Sequence, residues 1–361
     1  MKIAVSGTRG IPNLLGGVET HCEELFPRLA AYGFDITVFR RKNYVKDQLT
    51  EYKGVHLVTL QAPKKKAFEA IVHTIKSVVY AKWKLKAKVI HIHAVGPALA
   101  IPFARILGLK VVFTHHGPDY ERDKWGAAAR FMLRLGERWG VRYANEVIVI
   151  SQVINRQIQQ RYQRMDAHLI YNGVPHPVIQ NDIDYLKSLN IQPKKYIFAL
   201  GRFVPEKKFH QLIQAFTTLK DKRGYQLVIA GDVDIADDYS QSLKQLAHEN
   251  QVVLTGFVKG VPLQTLWSHA AAFVLPSSHE GLPISLLEAM SYQLPAIVSD
   301  IEANLEVGLP KGCYFPVNEF NVLTEKLERF IHFNAAKPFY DLTKYQWDRI
   351  AKQTAAVYQR L

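Results

Sequence analysis

Short apolar segments alternate with helical stretches along the whole chain, and this alternation leaves few possible folds. In the first half, apolar segments recur near residues 2–6, 35–39, 55–60, 89–94, 111–114 and 146–150. In the second half, they recur near residues 196–200, 226–230, 252–255, 272–275 and 296–298. Strands that alternate with helices form parallel, doubly wound sheets. The pattern therefore predicts an α/β protein with two Rossmann-like domains.

A break near residues 175–190 separates the two sets of segments, with Pro175, Pro177 and Asn181 as loop-forming residues. A length of 361 residues also suits two domains better than one. We predict an N-terminal domain over residues 1–178 and a C-terminal domain over residues 179–338. A last helix over residues 339–361 is expected to pack back on the first domain. Ligands of such sheets bind beyond the carboxyl ends of the strands, so we expect the domains to face one another across a cleft.

The formal net charge of +14 is confined to the first half of the chain. Residues 1–178 hold 27 Lys and Arg against 13 Asp and Glu, whereas residues 179–361 hold 19 of each class. A one-sided positive field predicts an anionic partner surface. We find no signal-peptide pattern and no apolar run of membrane-spanning length. Cys22 and Cys313 stand far apart, which disfavours a disulfide, so we expect a cytoplasmic protein, peripheral at the inner face of the cell membrane.

Two segments carry much of the positive charge. Residues 64–88 place apolar side chains at helical spacing among eight lysines, and residues 122–142 place aromatic and apolar residues among six basic ones. Either the apolar stripes face the core, or the segments are amphipathic helices that bind an anionic membrane or an anionic lipid-linked acceptor. The basic residues are Lys64, Lys65, Lys66, Lys76, Lys82, Lys84, Lys86, Lys88, Arg122, Lys124, Arg130, Arg134, Arg138 and Arg142.

Segment 276–290 combines several features of an anion site. It follows an apolar strand and opens a helix near Pro283, a residue that suits the first helical turn. Backbone N–H groups at the positive end of a helix dipole bind anions. The N–H groups expected to do so are those near Gly281, Leu282 and Ile284.

Two carboxylates belong to the same segment. Glu280 precedes the predicted helix and Glu288 lies about one turn inside it, so they would reach different depths of one pocket. Such a pair suits hydroxyl groups at the two ends of a nucleotide sugar. Two glutamates at this spacing also arise by chance as solvated helix residues, and the strand and the glycine-proline loop make the pattern specific.

A second loop, 201–208, also follows a buried strand and carries Arg202 and Lys207. The two cations would lie at the same end of the second sheet as the glutamates. An arginine fork and a lysine point charge can together hold a diphosphate and neutralise it as it leaves. The alternative is an ordinary charged surface loop.

Taken together, these motifs resemble the retaining glycosyltransferases of family 4, which have the GT-B fold. The resemblance covers essentially the whole chain, with the motifs in the right order. Lys208 departs from the commonest pattern, which has glycine there, and this affects the expected shape of the loop. The motifs are the Glu280 to Glu288 spacing, Gly201-Arg202 with Glu206-Lys207, and Tyr171-Asn172-Gly173-Val174.

The resemblance implies a donor site in the second domain. Glu288 would hold the ribose hydroxyl groups of the donor nucleotide, and Glu280 would contact the transferred sugar. Arg202 and Lys207 would bind the pyrophosphate. The backbone that would meet the base includes that of Phe257 and Val258.

The first domain begins with a glycine-rich loop over residues 6–20 that lacks the dinucleotide fingerprint. Gly16 and Gly17 allow the backbone to approach a ligand closely at a helix start. The loop resembles that of the bacterial rhamnosyltransferase branch of the family. Arg9 and Asn13 are the residues predicted to face the acceptor.

Histidines cluster at two predicted strand ends. His91, His93 and His116 could form a zinc site, but no carboxylate or thiolate stands convincingly beside them. The resemblance instead implies that His116 lies near the reacting sugar. For His93 and His115 we favour packing or hydrogen bonding within the protein. No metal ion and no cofactor are expected, because the nucleotide sugar is a substrate.

The resemblance implies a metal-independent transfer from a UDP-, dTDP- or GDP-sugar to a glycan or lipid-linked acceptor in bacterial surface polysaccharide or lipopolysaccharide synthesis. One alternative is a sugar-nucleotide 2-epimerase of the same fold. A basic nucleic-acid-binding protein is another, although a recognition helix, a zinc pattern and an aromatic platform are all missing, so we expect no nucleic-acid partner. A nicotinamide dehydrogenase is disfavoured by the missing glycine fingerprint.

Overall fold

The computed structural model describes residues 1–63, 66–122, 125–234, 236–333 and 338–361. Within these ranges the chain divides into two compact units. Unit 1 combines Met1–Gly173 with Lys344–Leu361, and unit 2 is Val174–Thr343. The predicted basic residues Lys64, Lys65 and Lys124 lie outside the described ranges.

Unit 1 is built on an eight-stranded sheet. Its strands are β1 (Lys2–Ser6), β2 (Asp35–Arg41), β3 (Glu51–Tyr52), β4 (Val55–Leu60), β5 (Val89–His93), β6 (Lys110–His115), β7 (Glu146–Val149) and β8 (His168–Leu169). They are arranged in the order β3-β4-β2-β1-β5-β6-β7-β8, and only the β3–β4 pair is antiparallel. The chain leaves β1 toward one edge of the sheet and β5 toward the other. Ligand sites of doubly wound sheets lie at such a switch point.

Five helices of unit 1 connect these strands. They are α1 (Gly17–Ala31), α2 (Lys66–Trp83), α3 (Ile101–Ile106), α4 (Ala127–Tyr143) and α5 (Gln152–Tyr162). Because α1 leads toward one edge and α3, α4 and α5 toward the other, right-handed crossovers place them on opposite faces. Contacts of α2 with α3, α3 with α4 and α4 with α5 show one continuous helical layer.

Two glycines let α4 pack closely on unit 1. A Cβ atom on Gly136 would lie 2.1 Å from the carbonyl oxygen of Val95, and one on Gly140 would lie 2.7 Å from the ring of Phe113. Since neither distance is possible for a real side chain, only glycine fits at these positions. The face of α4 opposite these glycines is consequently the one exposed to solvent.

Unit 2 contains a six-stranded sheet in which all neighbouring strands are parallel. Its strands are β9 (Tyr196–Leu200), β10 (Gln226–Ala230), β11 (Val253–Gly256), β12 (Ala272–Leu275), β13 (Ala296–Ser299) and β14 (Tyr314–Phe315), in the order β11-β10-β9-β12-β13-β14. Its helices are α6 (Asp184–Ser188), α7 (Phe209–Thr217), α8 (Asp238–Glu249), α9 (Gly260–His269), α10 (Ile284–Ser291), α11 (Glu302–Leu305) and α12 (Phe320–Phe333). The prediction of two Rossmann-like α/β domains is therefore confirmed.

The last helix, α13 (Trp347–Gln359), belongs to unit 1 and contacts α1. It begins later than predicted because a short 3-10 turn occupies Thr343–Tyr345. Its side chains Trp347, Ile350, Ala351 and Tyr358 join the same buried cluster as β1 and α1. Gly173 of the Tyr-Asn-Gly-Val motif lies against Trp347, since a Cβ atom there would be 2.4 Å from the indole ring. None of the described helices has both the length and the apolar character needed to cross a bilayer.

Candidate functional site

In unit 2, two loops that follow adjacent strands are joined at the carboxyl edge of the sheet. One is the loop after β9, which contains Lys207, and the other is the loop after β12, which contains Glu280. Lys207 Nζ donates to Glu280 Oε1 over 2.5 Å. The backbone N–H of Ser278 also donates to the carbonyl oxygen of Glu206 over 2.8 Å. The structure thus brings together two residues that the sequence predicted separately.

The Lys207–Glu280 pair is mostly buried, with 16% of the lysine and 13% of the glutamate side chain exposed. Burial alone would raise the pKa of Glu280, but the charge and hydrogen bond of Lys207 outweigh it and lower that pKa. The carboxylate is therefore ionised at neutral pH. It can accept hydrogen bonds and hold the lysine in place, but it carries no proton to donate.

Helix α10 begins beside this pair. Its first residue is Ile284, with Pro283 as the N-cap rather than within the first turn as predicted. The leading N–H groups of a helix have no carbonyl acceptor inside it, and in α10 the first N–H to donate back is that of Leu286, to the Pro283 carbonyl oxygen over 3.2 Å. Leu282 is buried and Gly281 is partly exposed. Glu288 is partly buried in the second turn of the helix, as its spacing predicts.

A buried network supports this loop from behind, and the sequence did not reveal it. Ser299 Oγ donates to the carbonyl oxygen of Ser277 over 2.5 Å, and Asn304 Nδ2 donates to the carbonyl oxygen of Ser299 over 2.9 Å. All three residues are fully buried. Because the contacts join β12, β13 and α11, only the fold brings these residues together.

The remaining predicted donor residues of unit 2 lie at the same edge of the sheet. Arg202 directly follows the loop glycine after β9 and is partly buried. Phe257 and Val258 follow β11, and 42% of the Phe257 side chain is exposed. The Gly231 N–H, at the end of β10, donates to the Gly256 carbonyl oxygen over 2.9 Å and ties the neighbouring strand end in place.

Lys208 adopts the left-handed backbone conformation, with φ at 52°. It follows the single turn Pro205–Lys207 and precedes α7. Side chains with a Cβ atom are disfavoured in this region, whereas glycine is not. This conformation gives a physical reason for the glycine that the resembling family usually has at this position.

In unit 1, the glycine-rich loop after β1 is organised by a residue that the sequence analysis missed. Glu19 is buried, and its Oε1 accepts hydrogen bonds from Thr8 Oγ1 at 3.2 Å and from the Arg9 N–H at 3.0 Å. Arg9 Nη1 donates to the carbonyl oxygen of Leu15 over 2.8 Å. The buried carboxylate of Glu19, on helix α1, thus holds the loop in place through these hydrogen bonds. In the sequence alone, Glu19 is just one acidic residue of a predicted helix.

The predicted ligand-facing residues of this loop differ in exposure. Gly16 is the N-cap of α1 and Gly17 its first residue, so both lie at the start of the helix. Asn13 is exposed, and its N–H donates to Glu23 Oε2 over 3.0 Å. Arg9 lies over the ring of Tyr44 at 5.2 Å and helps to hold the loop. The acceptor role of Arg9 and Asn13 stays a prediction.

Four histidines form one cluster at the switch point of unit 1. His93 Nδ1 lies 2.9 Å from His116 Nε2, and the rings of His91 and His93 stack at 4.2 Å. The ring of His21 lies 4.9 Å from that of His116, and its Nδ1 lies 3.0 Å from Asn172 Oδ1. Asn172 belongs to the Tyr-Asn-Gly-Val motif, which accordingly helps to position this cluster. His116 is partly exposed and the other three are buried.

The hypothetical zinc trio has to be corrected. His91 uses both ring nitrogens, with Nδ1 2.7 Å from the Tyr358 hydroxyl and Nε2 2.6 Å from Thr114 Oγ1. The nitrogens close enough to share an ion are instead those of His21, His93 and His116, which lie within 4.8 Å of one another. His115 is separate, because its Nε2 lies 2.7 Å from Glu137 Oε1 in a buried pair, in agreement with the role favoured from the sequence.

Burial keeps the clustered histidines neutral. It lowers the pKa of His21 from 6.5 to about 4 and that of His91 to about 3, and it lowers the pKa values of His93 and His116 well below 6.5. Since the unfolded chain takes up these protons at higher pH than the folded chain, acid favours unfolding.

We predict that the free energy of unfolding is fully retained above about pH 6.5 and decreases as the pH falls from there toward about 4, by roughly 1.4 kcal/mol per pH unit for each of His21 and His91. Urea titrations at several pH values measure this. The His91→Gln variant should show a smaller decrease, whereas His176→Gln, at an exposed position, should match the wild type. Equal pH dependence in all three proteins would contradict a neutral buried cluster.

We also predict that Lys208→Gly stabilises the protein by up to about 1 kcal/mol, because it relieves the left-handed backbone. Urea denaturation of the wild type and the variant measures this. Lys187→Gly, in the right-handed helix α6, is the matched control and should lose about 1 kcal/mol. A loss of stability in both variants would contradict strain at Lys208.

Comparison with known proteins identifies the family. Residues 15–176 match the family Glycosyltransferase Family 4, and residues 182–337 match the family Glycosyl transferases group 1. An uncharacterized glycosyltransferase of Methanocaldococcus jannaschii is 25% identical, over 99% of this chain and 98% of the relative. The Escherichia coli UDP-Gal:alpha-D-GlcNAc-diphosphoundecaprenol alpha-1,3-galactosyltransferase is 25% identical, over 84% of this chain and 81% of the relative.

Solved structures show the same fold. Sucrose-phosphate synthase from Thermosynechococcus elongatus is similar with a TM-score of 0.84 and 21% identity, over 99% of this chain and 98% of that one. The Anabaena protein HepE in complex with UDP-glucose has a TM-score of 0.81 and 19% identity, over 100% of both chains. Because the two family matches together span most of the chain, as the motifs predict, the protein is a GT-B glycosyltransferase of the family 4 type.

Proposed function

We propose that the protein is a retaining, metal-independent glycosyltransferase that moves a sugar from a UDP-, dTDP- or GDP-linked donor to a glycan or lipid-linked acceptor. The observation that carries this proposal is the buried ion pair of Lys207 and Glu280 beside the start of α10. The pair offers a cation for a diphosphate, an ionised carboxylate for sugar hydroxyls and helix N–H groups for an anion. Synthesis of bacterial surface polysaccharide or lipopolysaccharide is the proposed setting. The Escherichia coli relative, a galactosyltransferase with a diphosphoundecaprenol-linked acceptor sugar, and a related O-antigen chain mannosyltransferase of Salmonella typhimurium support it.

The proposed chemistry is a front-face displacement. As the bond between sugar and phosphate loosens, Lys207 and Arg202 would neutralise the departing diphosphate, and the acceptor hydroxyl would attack from the same side. The leaving phosphate would take the proton of the acceptor, so no side-chain base is needed. An ionised Glu280 suits this scheme, because it would hold sugar hydroxyls and the ammonium group of Lys207 rather than donate a proton. Catalysis would rest on position and electrostatics.

His116 and Glu288 have supporting roles in this proposal. Partly exposed and neutral, His116 would accept or donate a hydrogen bond to the transferred sugar. Glu288, one turn inside α10, would bind the ribose. The backbone near Phe257 would meet the base, and Gly16 and Gly17 would let the donor approach the start of α1.

We predict that replacing Glu288 mainly weakens nucleotide binding, whereas replacing Glu280 mainly lowers turnover. Glu288→Ala should weaken nucleoside diphosphate binding about tenfold to hundredfold, because it removes charge-assisted hydrogen bonds to the ribose. Glu280→Gln should leave that affinity within about threefold and lower turnover about a hundredfold, because its contacts form with the reacting sugar. Calorimetry with UDP, GDP and dTDP measures the first effect, and mass spectrometry of product on a lipid-linked acceptor extract measures the second. Glu325→Ala, exposed on α12, should change neither, and equal losses in both site variants would refute these roles.

Incubation of the donor without an acceptor separates the proposal from a sugar-nucleotide 2-epimerase. A transferase should return the nucleotide sugar unchanged or slowly hydrolysed, whereas an epimerase should release a different nucleotide sugar. Chromatography of the nucleotide fraction distinguishes the two. Appearance of the epimer in the wild type and its loss in Glu280→Gln would establish the alternative.

We further propose that unit 1 binds an anionic membrane at the inner face of the cell membrane, with the enzyme in the cytoplasm. The main support is helix α2, which keeps large apolar side chains exposed while its buried face mixes polar residues with Val78 and Ala81. Phe68 and Trp83 are 60% and 58% exposed, while Thr74 and Ser77 are fully buried. Exposed large apolar side chains on one helix suit a lipid surface, and the positive charge of this half of the chain suits an anionic one.

We predict that replacing Phe68 and Trp83 together by serine lowers the affinity for phosphatidylglycerol vesicles about tenfold or more, because two exposed aromatic anchors are lost. Vesicle co-sedimentation measures this. The matched control replaces Tyr32 and Leu49, two other exposed apolar residues of unit 1, by serine. It should bind the vesicles as tightly as the wild type does. Equal losses in both double variants would exclude α2 as the membrane surface.

A further inference from the structure

A basic cavity of about 590 Å³ lies between α4 and α5 of unit 1. Both helices end at the amino edge of the sheet, since α4 leads into β7 and α5 leads into β8. The glycine-rich loop and the histidine cluster lie at the opposite, carboxyl edge. The cavity is therefore separate from the candidate site. Its lining residues are Arg138, Val141, Arg142, Arg161, Tyr162, Gln163 and Arg164.

Four guanidinium groups face this arginine cavity, and no carboxylate is among its lining residues. Two of them are held by the protein. Arg164 donates through Nη1 to the Val141 carbonyl oxygen at 3.0 Å and through Nη2 to that of Asn145 at 3.0 Å. Its Nε also forms an ion pair with Asp166 at 2.5 Å. Arg161 hydrogen-bonds to the Tyr120 hydroxyl and lies 3.8 Å from the buried carboxylate of Glu137. These contacts build one wall of the cavity with fixed arginines.

The positive charges of the other two arginines are not neutralised by a carboxylate of the described residues. Arg138 and Arg142 are exposed one turn apart on α4, and neither forms an ion pair with a carboxylate of the described residues. Like charges at this spacing destabilise a helix slightly unless an anion neutralises them. Arginine forks bind the oxygens of a phosphate group in two-pronged fashion. The cavity thus has the chemistry of a phosphate site.

Exposed apolar side chains directly follow two of the arginines that line the cavity. Tyr143 follows Arg142 and is 43% exposed, and Met165 follows Arg164 and is 73% exposed. Phe131 on the same helix α4 is 65% exposed. A soluble phosphate would make no contact with exposed apolar side chains beside its site. In a bilayer, by contrast, the lipid phosphate lies just above an apolar layer that such side chains can enter.

We propose that the arginine cavity binds the phosphate group of an anionic membrane lipid and so orients unit 1 on the bilayer. This inference rests on the membrane contact proposed above, and it adds a defined headgroup site to it. A free phosphate or diphosphate shares the same chemistry, so the test compares both sources. The site takes no part in sugar transfer.

The test uses the full chain and dihexanoylphosphatidylglycerol, a short-chain lipid kept below its micelle concentration, with calorimetry as readout. Replacing Arg138 and Arg142 together by glutamine should weaken binding about tenfold to thirtyfold. Replacing the same two residues by lysine should still weaken it about threefold or more, because charge remains but the fork is lost. The matched control replaces Arg349 and Lys352, exposed on α13 across the sheet, by glutamine and should bind within about twofold of the wild type.

Three results would overturn the proposal. If the lysine variant bound the lipid as tightly as the wild type, the binding would depend on positive charge and not on the arginine forks. If the α13 control lost as much affinity as the glutamine variant, the binding would depend only on the net charge of the protein. The third result has two parts: inorganic pyrophosphate binds more tightly than the lipid, and the glutamine variant binds vesicles as well as the wild type does. The ligand of the cavity would then be a soluble anion and not a membrane lipid. Calorimetry of UDP, dTDP and GDP on the same proteins keeps the two proposals apart. A wild type that binds none of the three nucleotides would refute the transferase and leave the lipid result intact.

Discussion

Parallel strands impose the constraint on which the candidate site depends, because every loop after a strand then emerges at the same edge of the sheet. In unit 2 this brings the loops after β9 and β12 together, although more than seventy residues separate Lys207 from Glu280 in the sequence. The ion pair between them is strong because it is largely removed from water. It also keeps Glu280 ionised and so decides which chemistry the carboxylate can perform. Geometry and protonation state thus follow from one feature of the topology.

The sequence was most informative where a pattern is local. The apolar segments predicted the longer strands, and the glycine-proline loop predicted α10 with Glu288 one turn inside it. Two-residue strands such as β3, β8 and β14 were not predicted, because two residues are too few to show a periodic pattern. Helix α13 begins at Trp347, later than predicted, and a separate 3-10 turn at Thr343–Tyr345 precedes it.

Long-range partners were beyond the sequence. Nothing near Glu19 indicates that its carboxylate supports the loop after β1, and nothing near Ser299 indicates its bond to Ser277. The histidines were recognised as a cluster, yet the third close nitrogen belongs to His21 on α1, seventy positions before the predicted His91 in the sequence. Helix α2 was ambiguous for a different reason. Its apolar periodicity predicts a helix but does not reveal which side chains are buried, and here Thr74 and Ser77 are buried while Phe68 and Trp83 are exposed.

The placement of α13 has a consequence for the order in which the protein folds during synthesis. Unit 2 is a continuous stretch, Val174–Thr343, and has all its strands as soon as it leaves the ribosome. Unit 1 is synthesised first, but its buried cluster includes Trp347 and Tyr358. Because a ribosome adds residues from the N-terminus onward, the first unit to be made is the last to complete its core. Until then, the apolar side of α1 stays open to water and to chaperones.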